Sequence, residues 1–411
     1  MSTLAIMLKK EGCNVRGSDE RKGASIKLLH QEKIVVDMKM NKREIRHADV
    51  IVFSSAIKQD NKQFVYAKKL KKKMLTRGQL LGQIAAGYEK VIAVAGSHGK
   101  TTTTAMIYEI LRQNGDNPTL HLGGFRIEDG KNYELGDRKF FVTEACEYCD
   151  NFLNLYPQIS VVTNIEKEHM DFFKTFERQL VSFETFKRQS RFVIDGFDGV
   201  HVKKIRHDKD GSLLFKLYDK EKPIFSLHMK LCEEVNTQNV IYAYLVAKKL
   251  GISPAVIKVA LENFEGVKTR FEKMNCKDFD NVIFDYAHHP TEIAKAIQTA
   301  KKIYKGKNLL VIFQPHTFSR TKTLFKDFVT LFRKTQNVVL FKTYSAREKP
   351  LEGVSAKELA DALKQMGQNG FYCDSYRDLK NVLSKFDRET VLLFVGAGDL
   401  QSILHKNRFV T

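Results

Sequence analysis

The feature that most constrains this 411-residue chain is a glycine-bounded loop at residues 96–102. The apolar run at residues 91–95 predicts a buried strand before the loop, and residues 103–112 predict a helix after it. A strand that turns through glycines into a helix N-terminus directs several backbone N–H groups at one point, which suits a phosphate. A plain glycine turn with a surface lysine is the alternative. The spacing G-x-x-G-K-T-T favours a nucleoside triphosphate site formed by Gly96, Ser97, His98, Gly99, Lys100, Thr101 and Thr102.

Length and composition indicate a globular protein with two or three domains. Hydrophobic residues make up 43% of the chain and charged residues 28%, which is enough for packed cores. No apolar run approaches the roughly 18 residues of a membrane-spanning helix. The N-terminal segment becomes charged too soon for a secretory signal. We therefore expect a cytoplasmic protein without membrane insertion.

The chain is strongly basic, with Lys plus Arg exceeding Asp plus Glu by 68 − 48 = 20. Such an excess is compatible with nucleic acid, a membrane surface or small anionic substrates. The densest basic run, residues 68–73, lies in a helix-like stretch and is interpreted as a solvated face. Because no aromatic residues are interleaved with the basic ones in a nucleic-acid-binding pattern, we expect anionic small molecules and no nucleic acid.

Six cysteines are scattered through a chain without a signal, which favours a reducing compartment. Cys146 and Cys149 form one C-x-x-C pair. No second pair or histidine pair follows at zinc spacing, so a metal or redox role for them remains a minor alternative.

The first 88 residues predict a small Rossmann-like domain, because short strand and helix signals alternate. The chain begins in a helix-like run at residues 4–11. We expect that the first strand and glycine-rich turn of such a domain would precede Met1. Asp19, at the end of a strand, is a candidate acceptor for a ribose hydroxyl, or an ordinary turn aspartate.

Residues 89–268 predict a central domain built around the phosphate loop. Two further strands, at residues 139–143 and 159–163, run into acidic segments that contain Glu144 and His169. Carboxylates at strand ends beside a phosphate loop are typical of Mg2+ ligands. After a β-like region at 192–229, Asn236 and Asn239 open a helix where amides can recognise adenine. Helix capping explains Asn236 equally well.

Residues 269–411 predict a doubly wound parallel sheet. Strands at 282–285, 308–313, 338–341 and 391–395 alternate with helices near 291–304, 320–334, 355–366 and 376–385. Polar segments at 285–292, 314–320 and 396–399 follow the strand ends. Ligands bind at the carboxyl edge of such sheets, so these segments predict a second part of the site.

Taken in order, these motifs resemble those of the Mur ligases, the amide-forming ligases of bacterial cell-wall synthesis. The matching stretches are residues 17–19, 54–57, 96–103, 144–148, 163–166, 266–272, 285–292, 313–321 and 396–399. The resemblance implies a three-domain α/β fold: a Rossmann-like domain lacking its first strand, a P-loop ATPase-like domain and a doubly wound Rossmann-like domain.

The resemblance also implies an activity: ATP-dependent ligation of L-alanine to the lactyl carboxylate of UDP-N-acetylmuramate through an acyl phosphate, with Mg2+. A monomer or weak homodimer is expected. Two alternatives stay open. One is a ligase that attaches recycled tripeptide to the same sugar nucleotide, and the other is a nucleotide-binding relative without ligase turnover.

By the same resemblance, Lys100 stabilises the transferring phosphate, and Thr101, Glu144 and His169 hold Mg2+. The nucleotide would be bound by Asn236, Asn239, Arg270 and Asp285. The two other substrates would be bound by Asp19, Ser54, Ser55, Tyr286, His288, His289 and Arg320. Departures from the family pattern are Glu234 and Val235 before Asn236, and Thr269 and Thr317 where many relatives carry arginine.

Overall fold

The computed structural model describes residues 1–20, 23–346, 348–368 and 370–410. It divides the chain into two compact units. The first unit comprises Met1–His201, Leu217–Phe225 and Gln238–Phe264, and the second comprises Val202–Lys216, Ser226–Thr237 and Glu265–Thr411. The predicted domain limits 1–88, 89–268 and 269–411 stay a prediction.

The first unit opens with alternating short helices and strands. They are α1 (Ser2–Lys10), β1 (Arg16–Ser18), α2 (Ala24–Gln31), β2 (Val35–Asp37), α3 (Lys42–His47), β3 (Val50–Phe53), α4 (Lys62–Lys69), β4 (Lys73–Thr76) and α5 (Arg77–Ala85). β1 pairs with β2 and β3 pairs with β4, both in parallel. The Ser18 hydroxyl donates to Gln63 Oε1 at 2.8 Å, which ties the end of β1 to α4.

A six-stranded sheet forms the centre of the first unit. Its elements are β5 (Lys90–Ala95), α6 (Lys100–Gln113), β6 (Thr119–His121), β7 (Tyr133–Glu134), β8 (Phe140–Glu144), a 3-10 helix (Tyr148–Asn154), β9 (Ile159–Val162), α7 (Met170–Phe173), α8 (Phe176–Arg188) and β10 (Phe192–Ile194). The strand order is β10-β9-β5-β8-β6-β7. All pairs are parallel except β6 with β7. β5 is buried from Val91 onward, as expected for a central strand with covered faces.

A three-stranded sheet and two helices follow. They are β11 (Val200–His207), β12 (Leu213–Asp219), β13 (Lys222–Met229), α9 (Asn236–Lys249) and α10 (Pro254–Asn263), with the sheet in the order β11-β12-β13. On β12, Leu213, Phe215 and Leu217 are buried at alternate positions, so this sheet covers a core with one face.

The second unit contains another six-stranded sheet. Its elements are β14 (Glu272–Met274), β15 (Asn281–Asp285), α11 (Pro290–Ile303), β16 (Leu309–Phe313), α12 (Phe318–Thr323), α13 (Phe325–Arg333), β17 (Asn337–Phe341), α14 (Ala356–Gln365), β18 (Gly370–Cys373), α15 (Tyr376–Leu383), β19 (Val391–Val395) and α16 (Leu400–Lys406). The order is β14-β15-β19-β16-β17-β18. Along β19, Leu393 belongs to one hydrophobic core, and Leu392 and Phe394 belong to the other. The sheet is therefore covered on both faces.

The predicted α/β class and doubly wound sheet are confirmed, with local differences. β14, which runs antiparallel to β15, and β18 add two edge strands that the pattern did not indicate. The helix predicted near 320–334 is two helices, α12 and α13, separated at Leu324. Within the described ranges, no helix is long and apolar enough to cross a membrane.

Candidate active site

Two glycines shape the loop between β5 and α6. Gly96 and Gly99 have φ of 128° and 82°, a backbone region that favours glycine. A Cβ on Gly96 would lie 2.2 Å from Thr163 Oγ1, and one on Gly99 would lie 2.6 Å from Asn239 Oδ1. Both positions therefore require glycine for conformation and for space.

The end of β9 holds the loop in place. The Ser97 N–H donates to the Asn164 carbonyl at 2.9 Å, and the His98 N–H donates to Asn164 Oδ1 at 2.9 Å. The Thr163 hydroxyl donates to the His98 carbonyl at 2.5 Å. The segment after β9 therefore orders the phosphate loop, a contact that the strand–loop–helix pattern did not indicate.

Lys100, the first residue of α6, folds back over its own loop. Its ammonium donates to the carbonyl of Gly96, to that of Ser97 at 3.0 Å, and to Glu147 Oε1 at 3.2 Å. Burial alone would lower the pKa of Lys100, but nearby carboxylates, with Glu147 foremost, raise it overall above its ordinary value. The lysine therefore remains a cation.

Glu147 is the counter-charge of this cation, and the sequence analysis did not select it. Its side chain is 1% exposed, and Oε1 lies 3.8 Å from His169 Nε2. Its second oxygen, Oε2, is buried and has no hydrogen-bond partner among the residues that the structure describes. A buried carboxylate oxygen without a partner is costly, so this atom fits a site completed by a cation.

Glu147, Glu168 and His169 each place a ligand atom within 4.8 Å of the others. Oxygen atoms with one imidazole nitrogen suit a divalent cation such as Mg2+ or Mn2+. His169 has a left-handed backbone (φ 55°), and its ring lies 4.8 Å from that of Tyr148. The donor set and the unpartnered oxygen therefore fit a divalent metal at this place.

Glu144, the carboxylate predicted to bind Mg2+, lies at the end of β8 and faces a different partner. Its Oε1 accepts a hydrogen bond from the Gly123 N–H at 2.6 Å. Its charge still contributes to raising the pKa of Lys100. Glu147 lies three residues after Glu144 in the same acidic segment, and its burial is not visible in sequence. The role of Glu144 as a Mg2+ ligand stays a prediction.

Thr101 and Thr102 lie in the first turn of α6, each 7% exposed. Asn239, predicted to recognise adenine, has its Oδ1 3.2 Å from the Thr103 hydroxyl, which donates to it. The structure thus places Asn239 of α9 against the phosphate-loop helix. Asn236, at the start of α9, is 6% exposed, and the adenine role of both amides stays a prediction.

The residues predicted for the sugar nucleotide lie near the strand ends of the opening region. The Asp19 N–H donates to the Asp37 carbonyl at 3.1 Å. The Ser54 hydroxyl accepts from the Ala56 N–H at 3.3 Å, and Asn151 Nδ2 donates to the Ser55 hydroxyl at 3.2 Å. Ser55 is thereby linked to the 3-10 helix that follows Glu147, whereas Asp19 is held by the neighbouring strand.

In the second unit, Asp285 ends β15 and is 5% exposed. Its two oxygens accept from the Phe271 N–H at 2.7 Å and the Ala287 N–H at 2.6 Å. Burial raises the pKa of Asp285, while the neighbouring Arg270 opposes this. The Arg270 guanidinium lies 5.0 Å from the centre of the Tyr286 ring. The predicted residues Arg270, Asp285 and Tyr286 are therefore together.

The two histidines at the start of α11, His288 and His289, make different contacts. His289 caps the helix, with Nδ1 accepting from the Thr291 N–H at 3.4 Å. His288 Nδ1 lies 3.0 Å from the Tyr286 carbonyl and 3.6 Å from Glu292. Burial lowers the pKa of His288 to about 3, so its ring is neutral near pH 7. A neutral ring that donates from Nδ1 leaves Nε2 as an acceptor.

Arg320 and His316 form the neighbouring part of the second unit. Arg320 Nη1 lies 3.0 Å from His316 Nδ1, and the His316 ring lies 5.6 Å from the Tyr344 ring. The His288 and His316 rings are 6.2 Å apart. Burial and the Arg320 charge lower the pKa of His316 to about 4. Sequence reasoning found Arg320 and His288 but did not select His316, although it lies within the same motif.

A parallel α/β sheet whose central strand leads into a glycine–lysine loop and a helix is the arrangement of phosphate-binding α/β proteins. Three family models match the chain. They are "Mur ligase family, catalytic domain" at residues 1–89, "Mur ligase middle domain" at 94–193 and "Mur ligase, glutamate ligase domain" at 269–398.

Individual proteins match over nearly the whole chain. The UDP-N-acetylmuramate–L-alanine ligase of Caldicellulosiruptor saccharolyticus is 35% identical, with 98% of this chain and 95% of the relative covered. The crystal structure of UDP-N-acetylmuramate-alanine ligase MurC from Thermotoga maritima is 25% identical, with a TM-score of 0.85 and 99% and 96% of the chains covered. A murein peptide ligase from Psychrobacter arcticus shares the fold at a TM-score of 0.72, with 21% identity and coverage of 99% and 95%. The chain belongs to the Mur ligase family, and its predicted three-domain α/β fold is confirmed.

Proposed function

We propose that this protein is an ATP-dependent ligase that joins L-alanine to the lactyl carboxylate of UDP-N-acetylmuramate. The observation that carries the proposal is the cluster of Lys100, the buried Glu147 and His169 at the phosphate loop. It occurs in a chain that matches ligases of this name over 98% of its length. The cluster supplies the charges that phosphoryl transfer needs.

The proposed reaction has two steps. A lactyl carboxylate oxygen attacks the γ-phosphorus of ATP, the bond to the ADP oxygen breaks, and an acyl phosphate forms. The neutral amine of L-alanine then attacks the acyl carbon, phosphate leaves, and the amine proton passes to solvent or phosphate. Lys100 stabilises the charge on the transferring phosphate, and the loop N–H groups position it.

Mg2+ belongs to this proposal as the cation that offsets the charge of the ATP phosphates. Glu147, Glu168 and His169 would hold it, since their ligand atoms already converge. The predicted ligands Thr101 and Glu144 would complete the environment from α6 and β8. His98 and the other residues of the loop would contact the phosphates.

The second unit would bind the amino acid and part of the nucleotide. Arg320, a guanidinium with a planar fork of donors, suits the carboxylate of L-alanine. The neutral His288 offers an acceptor to an ammonium group, and Tyr286 lies beside it. Arg270 and Asp285 would contact the nucleotide. We also propose that the protein is located in the cytoplasm, where ATP and the sugar nucleotide are available. It would act there as a monomer or weak homodimer.

The test is phosphate release by the purified protein with ATP, Mg2+ and UDP-N-acetylmuramate, comparing L-alanine, the recycled tripeptide and no acceptor. We expect release that depends on L-alanine. Release with the tripeptide alone would instead identify the recycling ligase. ATP binding without product under any of the three conditions would identify a nucleotide-binding relative.

A further inference from the structure

Arg77 stands at the start of α5 in a tightly fixed position. Thr76 and Gln79 form a capping box at this helix start. The helix also lies very close to the 3-10 helix after Glu147: a Cβ on Gly78 would be 2.5 Å from Asn151 Oδ1, and one on Gly82 would be 2.2 Å from the Asn154 carbonyl. The two glycines therefore let α5 approach, and Arg77 is held beside the carboxyl edge of the central sheet.

A chain of hydrogen bonds connects Arg77 to the end of β8. Arg77 Nη2 lies 3.3 Å from His121 Nε2, and His121 Nδ1 lies 2.8 Å from the Thr143 hydroxyl. The Thr143 hydroxyl donates to the Glu144 carbonyl at 3.0 Å. One assignment of protons satisfies all three contacts: Arg77 donates to Nε2, and a neutral His121 donates from Nδ1 to Thr143.

His121 fits that assignment because it is almost wholly buried, at 2% exposure. Burial, followed by the Arg77 charge, lowers the pKa of His121 well below its ordinary value. The ring is therefore neutral near pH 7 and can accept a hydrogen bond from Arg77. His121 therefore fixes one edge of the guanidinium without supplying a counter-charge.

The remaining donors of Arg77 have no hydrogen-bond partner among the described residues. Among the residues that the structure describes, none has a carboxylate oxygen in an ion pair with this guanidinium. The side chain is half-buried, and a partly desolvated guanidinium without a counter-charge attracts an anion strongly. Its fork of N–H groups matches the two oxygens of a carboxylate or phosphate.

We propose that Arg77, positioned by His121, binds an anionic group of the sugar-nucleotide substrate. The inference rests on the proposed function, which requires an acidic sugar nucleotide. It extends that function by naming a residue that binds this substrate. Two groups of that substrate share the required chemistry, the lactyl carboxylate and the diphosphate. The hydrogen-bond chain to Thr143 and Glu144 places the anion on the side of α5 that faces the end of β8.

The first experiment measures binding by calorimetry without ATP, using UDP-N-acetylmuramate and UDP-N-acetylglucosamine, which lacks the lactyl carboxylate. We expect Arg77→Ala to weaken UDP-N-acetylmuramate binding by about 10- to 100-fold, the effect of losing a charged hydrogen bond. Arg77→Lys, which keeps the charge but loses the fork, should fall between. The control Arg138→Ala removes an exposed arginine that pairs with Glu11 and should leave binding unchanged.

The two ligands distinguish the sources of the anion. Weakening of both would assign Arg77 to the diphosphate, whereas weakening of UDP-N-acetylmuramate alone would assign it to the lactyl carboxylate. Unchanged binding of both ligands by a folded Arg77→Ala protein would overturn the inference and leave the proposed function standing. If the unaltered protein binds neither ligand, the proposed function fails with it.

The positioning role of His121 has its own readout. His121→Gln retains an acceptor for Arg77 and a donor for Thr143, so we expect near-normal affinity for UDP-N-acetylmuramate. His121→Leu should raise KM for the sugar nucleotide several-fold and leave KM for ATP unchanged. Equal effects of the leucine variant on both KM values would indicate general disruption and contradict the positioning role.

Discussion

Lys100 and Glu147 form a buried ion pair, with 3.2 Å between Nζ and Oε1 and only 1% of the Glu147 side chain exposed. The lysine is also bonded to two carbonyls of its own loop, so its position is set before any ligand arrives. Removing either member of such a pair leaves the other charge buried and uncompensated. The pair therefore connects the stability of the loop with its chemistry.

Lys100→Ala is expected to lower turnover by at least about 100-fold, because a charge that stabilises the transferring phosphate is lost. The same substitution should destabilise the fold by about 3 kcal/mol or more, since Glu147 remains buried without the lysine that balances its charge. Steady-state phosphate release and urea unfolding measure the two effects. Full activity in this variant would remove Lys100 from the mechanism.

The double variant Lys100→Ala/Glu147→Gln separates these effects. Neutralising Glu147 removes the buried charge, so stability should recover by about 1–3 kcal/mol relative to Lys100→Ala, while turnover stays lost. Recovery of turnover together with stability would show that the lysine acts only on folding.

Glu147→Gln alone is expected to raise the Mg2+ concentration needed for half-maximal activity by about tenfold or more, because a charged ligand becomes neutral. Glu184→Gln is the matched control, since Glu184 is an exposed carboxylate that pairs only with Lys187 among the described ion pairs. Titration of Mg2+ at fixed ATP measures the change. An unaltered requirement would exclude Glu147 from the metal site.

Gly99→Ala is expected to cost more than backbone strain alone. Gly99 and Gly115 have nearly equal φ values, 82° and 84°, but a Cβ would meet Asn239 only at Gly99 and nothing within 4 Å at Gly115. Gly115→Ala should therefore cost about 1 kcal/mol, and Gly99→Ala clearly more, with loss of ATP binding. Equal unfolding free energies for the two variants would contradict the close packing of α9 on the loop.

Two buried histidines of the second unit should contribute less to its stability as the pH falls from about 6.5 to about 4. His288 and His316 have pKa values of about 3 and about 4, lowered chiefly by burial. The unfolded chain takes up protons on both as the pH falls below about 6.5, whereas the folded chain does not. The contribution of the two histidines to the free energy of unfolding therefore falls with decreasing pH, by up to about 1.4 kcal/mol per pH unit for each histidine. Glu233, whose pKa burial raises to about 8, contributes in the opposite direction over the same range.

Urea unfolding at pH 5 and pH 7 tests this dependence. His316→Gln removes one of the two histidine contributions, so the change in unfolding free energy from pH 7 to pH 5 should be less destabilising than in the unaltered protein. His405→Gln, at an exposed position on α16, should leave that change as it is in the unaltered protein. If His316→Gln showed the same pH dependence of the unfolding free energy as the unaltered protein, His316 would not be one of the groups responsible.

A structural feature could be predicted from the sequence when the residues that form it are close together along the chain. The loop from Gly96 to Thr102 was predictable because its glycines, lysine and threonines act within one strand–turn–helix segment. The doubly wound sheet was predictable for a similar reason, since apolar strands and amphipathic helices alternate along the chain. The edge strands β14 and β18 were not predicted, because runs of three and four residues carry no detectable period.

The burial of Glu147 beside Lys100 could not be predicted from sequence. After β8 the chain enters left-handed backbone at Cys149 and Asp150, within the 3-10 stretch that follows Glu147. Such conformations in residues other than glycine depend on tertiary packing. The contact of Asn239 with Thr103 likewise joins residues 136 positions apart. No local pattern predicts either arrangement.

The measurement that tests the central claim most directly uses UDP-N-acetylmuramate labelled with 18O in its lactyl carboxylate. The labelled substrate is incubated with ATP, Mg2+ and L-alanine, and the sugar-nucleotide product and phosphate are analysed by mass spectrometry. Ligation through an acyl phosphate predicts the alanyl product together with phosphate that carries one 18O atom from the carboxylate. Phosphate without the label, or no alanyl product, would contradict the account.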